Sequence, residues 1–275
     1  MKRILVTGAT DGIGKQTAFN LAEMGYEVIL HGRNEKRGRQ VMEEIARQTG
    51  NKNLHYFNAD FTDFREIEKM AVEIRASFKE LDVLLNNAGV YEDHRIVLPN
   101  GFEKTFMVNH LAPFSLTLQL LDLIGKAEEG RIVNVASVAQ AGTIDFDNLN
   151  GEKYYDGYNA YALSKLENVL FTYKLARELE DTHITANCLH PGVIGTKLLH
   201  AGWGVGGAPV EEGARNEVYV ATSPELKGVS GRYFVNRRES RSAAVAYDTK
   251  VQDRLWEISL KLTGLSFGDW TIGIG

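Results

Sequence analysis

The sequence predicts an α/β fold: a doubly wound parallel sheet with helices on both faces. Three observations carry this. Short β-branched runs alternate with longer amphipathic stretches along most of the chain. The runs at 81–85, 131–135 and 184–189 are apolar almost throughout, as strands buried on both faces are. A glycine-rich turn joins the first run to the first amphipathic stretch. Strands that alternate with helices build βαβ units and hence a parallel sheet.

Residues 4–6 read as the first strand and 12–24 as the first helix. A strand over 26–30 and a helix over 35–48 follow, then a strand over 54–57 and a helix from 62 to 78. With no Pro/Ser-rich linker, repeat or low-complexity tract, residues 1–275 are expected to form a single domain. Two segments break the rhythm. Residues 139–157 are polar and aromatic, and residues 200–209 hold four glycines around Trp203. Long loops are often functional or mobile, and a plain surface excursion fits each segment equally well.

The 275 residues are 44 % hydrophobic and 24 % charged, an ordinary balance for a globular chain with a core. The formal net charge of -5 argues against a nucleic-acid partner. A lone cysteine, Cys188, excludes an internal disulfide. The apolar run after Met1-Lys2-Arg3 ends at Thr7-Gly8, too short for a signal peptide. No stretch reaches the roughly 18 apolar residues of a membrane helix. The expectation is a soluble cytoplasmic protein without a membrane anchor. The seven histidines show no metal-ligand spacing, so no metal is expected.

Thr7-Gly8-Ala9-Thr10-Asp11-Gly12-Ile13-Gly14 follows the first strand and opens the first helix. Glycines there let the backbone turn tightly and approach a pyrophosphate, and the helix N-terminus adds free N–H groups. A plain strand-to-helix turn would use glycine too. Placement at the head of a βαβ pattern favours a dinucleotide site and a Rossmann-type sheet. In such sheets an acid at the tip of the second strand binds the ribose hydroxyl of NAD, and an arginine accommodates the extra phosphate of NADP. Here the strand ends His31-Gly32-Arg33-Asn34, with no acid. Arg33, with Arg37 as a weaker second, points to NADP(H) over NAD(H). Asp11 argues mildly the other way.

Tyr161-Ala162-Leu163-Ser164-Lys165 opens an amphipathic stretch with Leu166, Val169, Leu170 and Tyr173 at helical spacing. Residues four apart share a helix face, so Tyr161 and Lys165 project together. An ammonium beside a phenol lowers its pKa from about 10, which suits proton exchange with a substrate oxygen. Alone, the pair could equally be an aromatic and a lysine on a helix surface.

Together with Asp60, Asn86-Asn87-Ala88-Gly89, Asn109, Ser137 and Pro191-Gly192, these motifs resemble the short-chain dehydrogenase/reductase family from residue 7 to about 196. The resemblance implies that Tyr161 is the general acid or base. It implies that Lys165 tunes Tyr161 and binds the nicotinamide ribose, that Ser137 holds the carbonyl oxygen, and that Asn109 joins a proton relay. It places Gly8, Ile13 and Gly14 around the pyrophosphate, with Thr10 and Gly12 also binding the cofactor and Asp60 near the adenine. Asn87, Ala88 and Gly89 back the cofactor. Pro191, Gly192, Val193 and Thr196 cap its nicotinamide end. Hydride chemistry is the cofactor's, and the protein supplies placement and the proton. Structural roles compete at several positions: Asp60 or Thr196 as a helix cap, Ser137 on a backbone group, Asn109 as a buried brace.

The segment Ile144-Asp145-Phe146-Asp147-Asn148-Leu149, the run Tyr161 to Asn168, and Val108-Asn109-His110-Leu111-Ala112-Pro113-Phe114 resemble the retinol dehydrogenase-like branch. That branch implies lipophilic alcohols or aldehydes and NADP(H). Two features depart from it: the lack of an anchor, and Tyr91-Glu92-Asp93-His94 where an apolar pocket wall would suit a lipid. The expected substrate is a small to medium, partly apolar alcohol or carbonyl. A loop around 197–210, with Leu198, Leu199, Trp203 and Val205, is expected to close on it, with an interface patch as the alternative.

The rival functions are a non-catalytic NADP(H)-binding sensor or scaffold on the same fold, and an epimerase or dehydratase. A sensor has no need of the full Asn109, Ser137, Tyr161, Lys165 set, and the region beyond about 223 is short for the third class. The family implies assembly through the Asn109 and Tyr161 helices, but its branch also holds monomers, so a homo-oligomer stays open. The tail from Leu265, with Phe267 and Trp270, reads as packing on the body or on a partner.

Overall fold

The computed structural model describes residues 1–267. Among them, β1 (Arg3–Val6), β2 (Glu27–Gly32), β3 (Leu54–Asn58), β4 (Val83–Asn86), β5 (Arg131–Val135), β6 (Thr185–His190), β7 (Tyr233–Val235) and β8 (Arg238–Ser240) form one sheet in the order β3-β2-β1-β4-β5-β6-β7-β8. All neighbours are parallel except β7 and β8, an antiparallel hairpin turned by Asn236 and Arg237 at positive φ.

Strand side chains alternate between two cores. Leu5, Ile29, Leu84 and Ile132 pack on one side, and Ile4, Val28, Val83 and Val133 on the other. The second core is closed by α1 (Gly12–Glu23), α2 (Glu35–Thr49) and α8 (Val210–Thr222). The first is closed by α3 (Phe64–Ser77), α5 (Ala112–Ile124), α6 (Gly157–Glu178) and α9 (Thr249–Thr263). Two short helices complete the set, α4 (Lys104–Phe106) and α7 (Lys197–Trp203). Each buried Leu or Ile contributes about 1.5–3 kcal/mol, so this double core holds the sheet edges that present the site.

The expected elements through β6 are present, with boundaries moved by caps. The α3 helix starts at Phe64 because Asp63, not Asp60, accepts from the Arg65 amide. The α6 helix begins four residues before Tyr161, since the Asp156 carboxylate accepts from the Asn159 amide. The region beyond 223, read as short, holds β7, β8 and α9. Between α4 and α5 a π-helical turn, Met107–Leu111, carries Asn109; such bulges are frequent at functional sites.

The strand order reverses between β1 and β4, and a crevice opens there at the carboxyl ends of the strands. No described helix is long and apolar enough to cross a membrane.

Candidate active site

A cleft of about 1280 Å³ occupies that switch point. Every residue assigned above to the cofactor lines it, and so do Ser137, Tyr161 and Lys165. Asn109 does not.

The glycine turn is packed too tightly for side chains. A Cβ on Gly14 would lie 2.5 Å from the Gly8 carbonyl oxygen and 2.3 Å from Asn87 Nδ2. Gly8 itself has φ +68°, in the left-handed region. The Asn87 amide donates to the Thr7 carbonyl at 2.7 Å, and the backbone N–H groups of Asn87 and Ala88 donate to Thr7 Oγ1 at 2.9 and 3.0 Å. The Asn86–Gly89 segment is thereby stapled to the turn. This leaves the first turn of α1, whose N–H groups lack intrahelical partners, beside the cleft.

His31 braces the same turn, a role that spacing alone could not reveal. Its Nδ1 accepts from the Gly8 amide at 3.2 Å, so Nε2 carries the proton and donates to the Ala59 carbonyl at 3.0 Å. The ring stacks on Phe61, centroids 4.1 Å apart. Burial pushes its pKa down to about 4 and keeps it neutral.

At the tip of β2, Arg33 is exposed on the cleft wall. Arg37 is already engaged: it pairs with Asp11 at 3.0 Å and donates to the Thr10 carbonyl. Asp11 also pairs with Lys197 of α7 at 2.6 Å. Burial raises the Asp11 carboxyl, but Lys197, the Gly12 amide and Arg37 outweigh it and hold the group below its ordinary value. The repulsion that Asp11 was expected to exert on a phosphate is met by two cations. Asp60 Oδ1 accepts from the amide and hydroxyl of Thr62, closing a turn at the cleft edge. Thr196 caps α7, accepting from the Leu199 amide.

Tyr161 and Lys165 sit on one face of α6, both nearly buried. Lys165 Nζ donates to the Val135 carbonyl at 2.9 Å and lies 5.5 Å from the Tyr161 ring centroid. Burial lowers its pKa to about 8, against the pull of Glu217. The phenol differs from expectation. Burial pushes its pKa up to about 12, and only a hydrogen bond with Ser137 opposes this. The cause is the aromatic cover: Tyr91 and Trp203 lie against the ring, 5.9 and 5.5 Å between centroids. Asn109 binds the Val90 backbone at both its N–H and its carbonyl, and donates to Ser164 Oγ at 3.0 Å. Ser137 Oγ accepts from the Ala139 amide at 3.1 Å.

Further residues enter that the sequence did not single out. His190 lines the cleft, and its Nδ1 accepts from the Val138 amide. Burial, with Lys165, lowers its pKa to about 4. Tyr158 joins the aromatic cover through Trp203. The charges expected beside the pocket are turned away: Glu92 pairs with Lys104, and none of Glu92, Asp93 and His94 lines the cleft. Among the described residues no group of three or more His, Cys, Asp or Glu side chains could hold a metal.

A profile for short chain dehydrogenases matches residues 2–202, and the chain belongs to that family. It falls in the retinol dehydrogenase-like branch. Human retinol dehydrogenase 14 is 37 % identical over 96 % of this chain and 87 % of its own. Human polyprenol dehydrogenase is 37 % identical over 95 % of this chain and 84 % of its own. Among solved structures, a Mycobacterium paratuberculosis protein superposes with TM-score 0.80 at 26 % identity, covering 97 % of this chain and 95 % of that one. A short chain dehydrogenase from Escherichia coli CFT073, complexed with NADPH, gives 0.71 at 27 %, covering 86 % and 97 %. The chain is therefore an oxidoreductase of this family.

Proposed function

We propose that the protein is an NADP(H)-dependent oxidoreductase that interconverts an alcohol and a carbonyl, with Tyr161 as general acid/base. The observation that carries this is the burial of the Tyr161 phenol and the Lys165 amine together on one wall of a glycine-cradled cleft. The cradle fits a dinucleotide, since the Asn87 amide and the Gly8 carbonyl pack against Gly14 where a Cβ would stand, which keeps the turn bare of side chains. A bound nicotinamide would supply or accept the hydride.

The chain's own residues do the rest. The Gly8–Gly14 turn and the α1 N-terminus hold the pyrophosphate. Arg33 takes the 2′-phosphate, which favours NADP(H). Ser137 holds the substrate oxygen within reach of the Tyr161 hydroxyl. In reduction the hydroxyl gives its proton to that oxygen and becomes a phenolate, and in oxidation the phenolate takes the proton of the substrate hydroxyl. Lys165, charged at neutral pH, stabilises the phenolate left behind. Asn109, anchored on Val90 and Ser164, positions the water through which a proton relay runs.

The substrate is a partly apolar alcohol or carbonyl. Val138, Leu198, Leu199, Trp203 and Val205 line the substrate end of the cleft, and the relatives are named for retinol and polyprenol. Residues 197–210 act as a lid within a single catalytic domain, tied to the cofactor turn through Lys197 and Asp11. NADPH fluorescence on mixing, then NADPH consumption with a panel of aldehydes and ketones, tests the reading. Turnover supports it. Binding without turnover across the panel supports the non-catalytic sensor instead.

A further inference from the structure

The segment 139–157 has no part in the reaction above, yet it roofs a second cavity. The cavity, about 480 Å³, lies between that segment, α4 and the first half of α6. This is within the usual range for small-molecule sites, about 300–1,000 Å³. Tyr158 lines both it and the active-site cleft.

Its wall has one sign of charge. Glu103, Asp145, Asp156 and Glu167 line it, and no Lys, Arg or His does. Three of the four carboxylates have partners. Glu103 caps α4 by accepting from the Thr105 and Phe106 amides. Asp156 caps α6, and Asp145 pairs with Lys153 at 3.6 Å. Glu167 is different. It is fully buried, on the same helix face as Leu163, and neither carboxyl oxygen has a hydrogen-bond partner. An isolated buried carboxylate costs several kcal/mol, so such a group stays protonated or meets a cation. Burial, reinforced by Glu103, raises its pKa well above the ordinary value. Aromatic rings from Tyr154, Tyr155 and Phe106 complete the wall. Ring faces beside carboxylates attract organic cations and give an anion nothing.

We propose that this cavity is a second ligand site, separate from the cofactor cleft, that binds a small organic amine in its ammonium form. Glu167 is the charge partner at its inner wall, and the tyrosines flank the ligand's apolar part. Because Tyr158 is shared, occupancy is felt at the mouth of the active site.

The test is calorimetry on the full chain saturated with NADPH, which blocks the cofactor cleft. The probe is 2-phenylethylamine, with its neutral N-acetyl derivative as control. The amine should bind once per chain and raise the melting temperature, and the amide should do neither. Glu167→Gln, which keeps the side-chain volume, should weaken amine binding at least tenfold and leave NADPH affinity unchanged. Should that variant fail to fold, the contrast between amine and amide on the parent protein decides. Equal binding of amine and amide, no binding of either, or full affinity in Glu167→Gln would each overturn the proposal. None of these outcomes bears on turnover, so the reading of the catalytic site stands or falls separately.

Discussion

Trp203 meets Tyr161 edge to face, with ring centroids 5.5 Å apart and planes at 81°. The contact depends on the end of α7. Gly204 terminates the helix at φ 64°, and a Cβ on Gly202 would lie 3.1 Å from the Tyr91 ring. Glycine at 202 lets α7 settle on Tyr91 and carry the indole to the Tyr161 phenol. An apolar substrate that reaches Tyr161 has to exchange its surface with this indole. Trp203→Ala should therefore raise KM for lipophilic aldehydes about tenfold, in line with the loss of a well-packed aromatic contact. NADPH affinity should hold. An unchanged KM would remove Trp203 from the substrate site.

In the proposed function, cofactor choice falls to Arg33. A charge-assisted bond to phosphate contributes about 1.5–3 kcal/mol, so Arg33→Ala should weaken NADPH binding by roughly ten- to a hundredfold and leave NADH nearly untouched. Asp11→Asn should release Arg37 from its 3.0 Å ion pair and tighten NADPH binding. Fluorescence titration of both cofactors reads both effects. Equal losses for NADPH and NADH in Arg33→Ala would place the arginine elsewhere.

Three buried imidazoles link stability to pH. His110 is the most secluded. Its Nε2 donates to Ser259 Oγ at 2.8 Å, and burial lowers its pKa to about 3. The folded chain thus binds fewer protons here than the unfolded chain, whose imidazole titrates near 6.5. The stability this provides is present above pH 6.5 and is lost as pH falls toward 3. His110→Leu should flatten the dependence of unfolding free energy on pH between 4 and 6 by about 1.4 kcal/mol per pH unit. Urea melts across that range check it. An unchanged slope would mean the imidazole titrates normally in the fold.

The α9 helix lies over the helices through which the family implies assembly. Trp256 packs on Phe114 and Phe171, with centroids 5.2 and 6.1 Å away, and Ser259 binds His110. With that face covered by its own chain, the protein should run as a monomer in light scattering. Trp256→Glu should expose the face and shift the mass upward or destabilise the fold. A stable dimer of the parent protein would contradict this.

The sheet through β6 and the Tyr161–Lys165 pair were legible because both follow periodicity: buried strands are apolar throughout, and helix neighbours recur at four. The glycine turn was legible because Gly8 and Gly14 stand where no side chain fits. Less was visible where long-range packing decides. Nothing local marks His31 as a brace between Gly8 and Ala59, residues far apart in the chain. The π turn at Asn109 depends on packing between helices, and β7 is too short to carry a pattern. The tyrosine's own pKa went the other way from the sequence argument. Spacing foretold the ammonium nearby but not the burial, with Tyr91 and Trp203 against the ring, that raises the phenol. Phe267 packs on Trp256, so the tail starts back along the body, while Trp270 lies outside the described residues.

The most direct measurement is single-turnover reduction of an aldehyde by the NADPH-loaded Tyr161→Phe variant. Removing one hydroxyl should slow proton delivery by about 10²–10⁴-fold while NADPH affinity stays within twofold of the parent. Reduction within a few-fold of the parent rate would show that the proton comes from another group, and the assignment of Tyr161 would be wrong.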